Sequence, residues 1–231
     1  MAEAAIARAG GVLVAGFEPY GGRGRNPACD VVRALDRSVI AGHPVAGRTL
    51  PVSYNGLARR LSAMIDELHP RLVISLGLWP GETAIRLERF GLNLADFEIP
   101  DNEGALLTDA PIVAEGGAGL RSTLPLRAIE AALLASGIPA RLSSTAGTFL
   151  CNATLYQLLH LLGERAPGAR GGFIHLPYLP EQVALLLRET AAERRLELHQ
   201  RADVASMALP LQVKAVSIAI ATALGEPARI R

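Results

Sequence analysis

Two side chains in this sequence stand where they could do covalent chemistry. Cys151 follows a run of small residues, Ser144-Thr145-Ala146-Gly147-Thr148, then Phe149-Leu150, and opens a stretch that reads as a helix. Leu155, Leu158, Leu159 and Leu162 recur there at helical spacing, so one face is apolar and the cysteine falls in the first turn. Unpaired N–H groups and the positive dipole end of such a turn favour a thiolate over a thiol. The same N–H groups suit a developing oxyanion. A buried cysteine with a packing role is the competing reading.

A cysteine nucleophile needs a base, most often histidine. His160 lies nine residues beyond Cys151, about 900° round the same helix and so on its opposite face. His43 and His69 each precede a proline in what reads as a turn, and His199 lies among charged residues; all three read as solvated. His175 alone ends a buried apolar strand, residues 171–176. It approaches the cysteine helix if the strands before and after that helix are neighbours. A satisfied core histidine is the alternative. Spacing does not single out a carboxylate to orient the imidazole. Glu88, Asp96, Asp101 and Glu103 all qualify, and Glu88, between Arg86 and Arg89, reads as a solvated strand-face charge.

These residues need elements to position them. Residues 11–16 and 72–77 are short apolar runs ending in glycine, which suits buried strands; residues 45–52 and 141–143 add two more. Asn26-Pro27 reads as an N-cap and first helical residue, opening a helix to Leu35. Residues 54–68 put Leu57, Leu61, Ile65 and Leu68 on one helical face, and further helices span 126–135, 180–195 and 211–224. Residues 84–93 alternate in part, Ile85 and Leu87 against Arg86 and Glu88. Residues 96–119 carry turn residues and no period, a functional or mobile segment by expectation. Strands alternating with helices, without repeats or linkers, predict one α/β/α sandwich on a mostly parallel twisted sheet, with ligands beyond the carboxyl ends of the strands. The glycine-rich loop after the first strand lacks both phosphate-loop spacings. Its aromatics, Phe17 and Tyr20, either wall a small flat ligand or fold back on the core.

Composition bounds the setting. In 231 residues the formal net charge is +1, so no basic surplus points to nucleic acid or an anionic membrane. Cys29 and Cys151, the two cysteines, fit a reducing cytoplasm, and Cys29 reads as structural. The N-terminal residues do not read as a signal peptide, and residues 216–224 are too short to span a bilayer.

Five blocks carry a resemblance. They are Gly16-Phe17-Glu18-Pro19-Tyr20-Gly21-Gly22 with Asn26-Pro27; Glu88-Arg89 with Asn93; Ile99-Pro100-Asp101-Asn102-Glu103-Gly104; the Ser144 to Asn152 run; and Phe173-Ile174-His175-Leu176-Pro177-Tyr178-Leu179-Pro180-Glu181-Gln182. In this order they closely resemble pyroglutamyl peptidase I, also called pyrrolidone-carboxylate peptidase. The resemblance implies a cytoplasmic cysteine exopeptidase, without metal or cofactor, that removes an N-terminal 5-oxoproline from peptides through a thioester. It implies Cys151 as nucleophile, His175 as base and Glu88 as the orienting carboxylate. It also implies Phe17 and Tyr20 as walls of the ring pocket, Asn26 beside it, and backbone near Phe149 and Leu150 meeting the lactam. Bacterial members imply a homotetramer, with residues 96–119 a candidate contact or lid. Two departures stand out: many relatives have phenylalanine at Tyr20 and arginine at Glu82. On sequence neither departure touches the three catalytic candidates.

Overall fold

A computed structural model describes residues 10–193 and 201–225. Its strands are β1 (Val12–Phe17), β2 (Val39–Ile40), β3 (His43–Leu50), β4 (Leu72–Leu78), β5 (Ile85–Glu88), β6 (Phe90–Leu92), β7 (Gly119–Arg121), β8 (Ala140–Ser143) and β9 (Arg170–Leu176). Its helices are α1 (Pro27–Leu35), α2 (Leu57–Leu68), α3 (Leu126–Ala135), α4 (Leu150–Arg165), α5 (Pro180–Glu193) and α6 (Leu209–Ala223). The main sheet has seven strands in the order β2-β3-β1-β4-β9-β5-β8, and β6 pairs with β7 apart from it.

Alternation along the strands sorts the core into two layers. Val12, Val14, Ile74, Leu87 and Ile174 face α1, α3 and α6 on one side. Leu13, Ala15, Val73 and Phe173 face α2 and α4 on the other. This is the expected α/β/α sandwich, and β3, β1, β4 and β9 are mutually parallel. The sheet is nonetheless mixed. β5 runs antiparallel to β9 and lies between it and β8, so the strands flanking α4 are not neighbours.

Several boundaries fall where local chemistry puts them. The Asn26 side chain accepts from the Ala28 N–H, and Pro27 supplies a helix-ready φ, so α1 starts at Pro27. His69, with φ 42°, closes α2 in a left-handed turn before Pro70. His43 departs from expectation: it starts β3 as a half-buried sheet residue rather than occupying a turn. The ends of the helix toward Arg195 and the surroundings of His199 lie outside the described residues. No helix among the described residues is long and apolar enough to cross a membrane.

Candidate active site

Cys151 is the second residue of α4, half-buried at the head of a helix whose next eight residues are all buried. The first intrahelical bond runs from the Ala153 N–H to the Phe149 carbonyl. The N–H groups of Leu150, Cys151 and Asn152 therefore come before the helical ladder begins. The loop into the helix is tied down on both sides. Thr148 Oγ1 donates to the Asp96 carbonyl at 2.6 Å, and the Asp96 N–H returns a bond to the Thr148 carbonyl at 3.2 Å. The wholly buried Asn152 side chain accepts from the Leu92 N–H and donates to the carbonyls of Leu92 and Leu94. Sequence reasoning gave Asn152 no role, although a buried asparagine one residue after a candidate nucleophile must find hydrogen-bond partners somewhere.

His175 sits near the carboxyl end of β9, in register with Gly77 on β4 and with Arg86 on β5. Gly77 makes the room. A Cβ there would stand 2.8 Å from Cys151 Sγ and 2.9 Å from the Phe173 ring. The thiol thus hangs over β4 at the position beside His175, and both line the same cleft. Helix and base meet because α4 crosses the sheet, not because its flanking strands pair.

The antiparallel setting of β5 decides which carboxylate reaches the imidazole. Arg86 pairs with His175 and Glu88 with Phe173, so all four share the face under α4. His175 Nδ1 lies 2.8 Å from Glu88 Oε1, with His175 1 % and Glu88 0 % exposed. Glu88 is therefore no solvated strand-face charge. Alternation along β5 is real, yet its charged face is buried. Asp96 lies on the cleft rim, and Asp101 is spent on the backbone N–H groups of Tyr54, Glu103 and Ala105. His160, on the far face of α4, pairs with Glu164 at 3.3 Å.

The thiol departs from expectation. Burial and the Glu88 charge push the Cys151 thiol up to about 12, against the pull of the helix terminus. Burial also holds the His175 imidazole below its ordinary value, although the Glu88 hydrogen bond and charge oppose this. Both shifts favour the uncharged forms, thiol and imidazole. A Glu88 carboxylate accepting from Nδ1–H leaves the Nε2 lone pair as the available base.

Phe17, Tyr20, Asn26, Phe149 and Leu150 line one narrow inner pocket with Val52, Leu78 and Cys151. Phe17 is not an exposed loop residue: it ends β1 and is 3 % exposed. The Tyr20 and Phe149 rings stand 6.2 Å apart, and Phe149 packs edge-on against Phe97 at 4.7 Å. Burial, with the nearby Cys151, pushes the Tyr20 hydroxyl up to about 12. Asn26 shapes the pocket with its amide already committed, donating to the Glu18 carbonyl and accepting from the Ala28 N–H. A wider outer cleft continues past Cys151 and His175 between Trp79, Pro80, Asp96, Glu98 and Ile99.

With this geometry in view, comparison with known proteins decides the family. The pyroglutamyl peptidase family model matches residues 11–226. The chain belongs to the pyroglutamyl peptidase family. It is 51 % identical over 174 residues to the pyrrolidone-carboxylate peptidase of Klebsiella pneumoniae (strain 342), covering 75 % of this chain and 81 % of that relative. The pyrrolidone-carboxylate peptidase of Cupriavidus pinatubonensis is 40 % identical over 221 residues, 95 % of each chain. Among solved structures, a mutant pyrrolidone carboxyl peptidase from the hyperthermophile Pyrococcus furiosus superposes with a TM-score of 0.84 at 37 % identity, covering 93 % of this chain and 98 % of that one. The enzyme from Thermococcus litoralis gives 0.84 at 35 % identity, with 95 % and 98 % covered.

Within this family fold the two departures are not equivalent. Tyr20 alters the pocket wall. Glu82 is 5 % exposed, and Arg141 and Arg86 both reach it. Because Arg86 also binds Glu88, Glu82 stands one side chain from the candidate triad, contrary to the reading from sequence.

Proposed function

We propose that this chain is a single-domain cysteine exopeptidase that hydrolyses the bond after an N-terminal pyroglutamyl residue. The observation that carries the reading is one cleft holding Cys151 at a helix head, the Glu88–His175 bond, and a neutral aromatic pocket beside them. His175 Nε2 takes the Cys151 proton as Sγ attacks the carbonyl carbon that joins pyroglutamate to the next residue. The first-turn N–H groups of α4 hold the oxyanion. Collapse breaks the C–N bond, and His175 passes its proton to the leaving amine. A thioester remains. Water then gives a proton to His175 and attacks the thioester, releasing pyroglutamate and restoring the thiol. Glu88 fixes the tautomer throughout.

Selection rests on solvation. Pyroglutamate is a neutral lactam and enters a pocket of Phe17, Tyr20, Phe149 and Leu150 without desolvating a charge. An N-terminal glutamate or glutamine would bring an ammonium into the same space unpaired. Proline carries the ammonium on a ring of the right size but lacks the ring carbonyl, so its exclusion is the narrower margin. The outer cleft receives the residue after the scissile bond. The enzyme works in the cytoplasm as a homo-oligomer, a tetramer by family resemblance; a monomer in sedimentation equilibrium would overturn that assignment.

Release of a chromogenic amine from pyroglutamyl and prolyl amides, with and without a thiol alkylator, tests the reading. Pyroglutamyl turnover that is lost on alkylation and in Cys151→Ala supports it. Equal prolyl turnover would end the pocket account, and an active Cys151→Ala would move the nucleophile elsewhere.

A further inference from the structure

Behind His175 the charges form a continuous chain. Arg86, 7 % exposed, donates from Nε to Glu88 Oε1 at 2.7 Å, the same oxygen that meets His175 Nδ1. The other oxygen, Glu88 Oε2, is buried without a partner among the described residues. The whole orientation of this carboxylate therefore rests on one doubly used atom. Arg86 spends its other nitrogens on two further parts of the site. Its Nη2 donates to the Thr145 carbonyl at 2.6 Å, in the loop that leads to Cys151, and its Nη1 lies 3.7 Å from Glu82 Oε2. The guanidinium plane stacks on Trp79 at 3.7 Å from the ring centre, and Trp79 packs edge-on against the His175 ring at 4.9 Å. Glu82 is fixed in turn by Arg141 Nε at 3.1 Å and by the Thr83 N–H at 3.0 Å.

We propose that Arg86, steadied by Glu82, is a positioning residue that clamps Glu88 onto His175 and ties that pair to the loop carrying Cys151. The inference rests on the assignment of Cys151, His175 and Glu88 made above. Only a planar fork can serve Glu88, Thr145 and Glu82 at once while stacking on an indole. A lysine keeps the charge and loses the fork. Glu82 balances the second cation-facing side, so that Arg86 is not drawn wholly onto Glu88.

The clamp also sets the charge felt by the imidazole. The titratable and charged groups around His175 are Glu88 and Arg86 on β5, Glu82 from the turn before it, Cys151 on α4 and, across the cleft, Tyr20, Asp96 and Glu98. Arg86 disfavours the imidazolium, and Glu82 favours it. Removing one should move the acid limb of activity opposite to removing the other.

The test is the pH dependence of kcat and KM on a pyroglutamyl amide for the full chain, Arg86→Met, Arg86→Lys, Glu82→Gln and Cys151→Ala. Arg86→Met is expected to lower kcat by about 10–100-fold with little change in KM, the range seen when a supporting partner is lost. Its acid limb should move to higher pH. Arg86→Lys should keep the parent limb and recover only part of kcat. Glu82→Gln should lose a few-fold in kcat and move the limb to lower pH. If Arg86→Met fails to fold, Glu82→Gln decides alone: a lowered limb supports the clamp and an unmoved one overturns it. Limbs that stay fixed in both variants, or move the same way, would overturn it too. An active Cys151→Ala signals failure of the site assignment itself; an inactive one with parent-like Arg86 and Glu82 variants defeats only the clamp.

Discussion

The inner pocket and the layer behind His175 lie on either side of the same candidate pair, Cys151 and His175, yet they are built from opposite materials. The pocket is mainly aromatic and aliphatic, and its one amide side chain, Asn26, makes one donor and one acceptor bond within the protein. The layer behind His175 buries Glu82, Arg86 and Glu88 almost completely, with Arg141 closing its outer end. An apolar wall selects by what it fails to solvate, so it needs no directed contact to reject a charge. A buried charge cluster works the other way: each member is tolerable only while its partners stay in place. The pocket should accordingly bend under substitution, whereas the charged layer should break.

Glu88→Gln tests the brittle side. An amide cannot hold both the Arg86 N–H and the Nδ1–H tautomer as a carboxylate does, and the loss of kcat should reach about 10²–10⁴-fold, as for a triad carboxylate replaced by amide. Single-turnover acylation kinetics would check it, and a loss of only a few-fold would show that the tautomer is set elsewhere. Next comes Gly77→Ala, between the two regions. Its Cβ would meet Cys151 Sγ at 2.8 Å, and displacement of the nucleophile by about 1 Å carries a cost of about 10²-fold. Alkylation rates of Cys151 should fall with it while thermal stability changes less.

On the compliant side, Tyr20→Phe removes a hydroxyl and keeps the ring tilted against Phe149. A change of a few-fold, read in KM rather than kcat, is expected; a collapse of kcat would make the hydroxyl part of the chemistry. The smallest effect is on stability at alkaline pH. The folded Cys151 thiol holds its proton to about 12, whereas an unfolded chain releases it near 8.5. Between those values the unfolded state binds fewer protons, so stability falls as pH rises. Denaturant midpoints of the parent and Cys151→Ala should converge as pH climbs through that window if the parent is the more stable below it, and diverge otherwise.

Legibility in the sequence followed the physics that fixed each part. The bounds of α1 and α3, at Pro27–Leu35 and Leu126–Ala135, were readable because capping and proline chemistry are local. Cys151 and His175 were readable from their places at the ends of periodic elements. Glu88 was not, because alternation on β5 says nothing about whether the polar face meets water. The order of strands was likewise hidden, and with it the antiparallel insertion that brings Glu88 to His175. Residues 96–119 read as functional or mobile for want of a period. Isolated side chains tie them to the fold: Asn93 bonds to Ile112, Val113 and Gly116, and Asn102 bonds to Glu18 and Pro19. Such bonds leave no pattern in composition. They also bring Phe97 against Phe149, so this aperiodic segment helps wall the pocket.

The insertion of β5 between β8 and β9 has a consequence for the newly made chain. Glu88 and His175 are 87 residues apart, and β8 and α4 lie between their strands in the chain. Contacts of such long range are among the last to form, because chain closure must precede any gain from pairing. Cys151 is translated before His175, so until β9 has been made the thiol has no imidazole beside it. A chain made only as far as α4 therefore holds its candidate nucleophile without the candidate base, and the pairing of β5 with β9 brings Glu88 to that base as well.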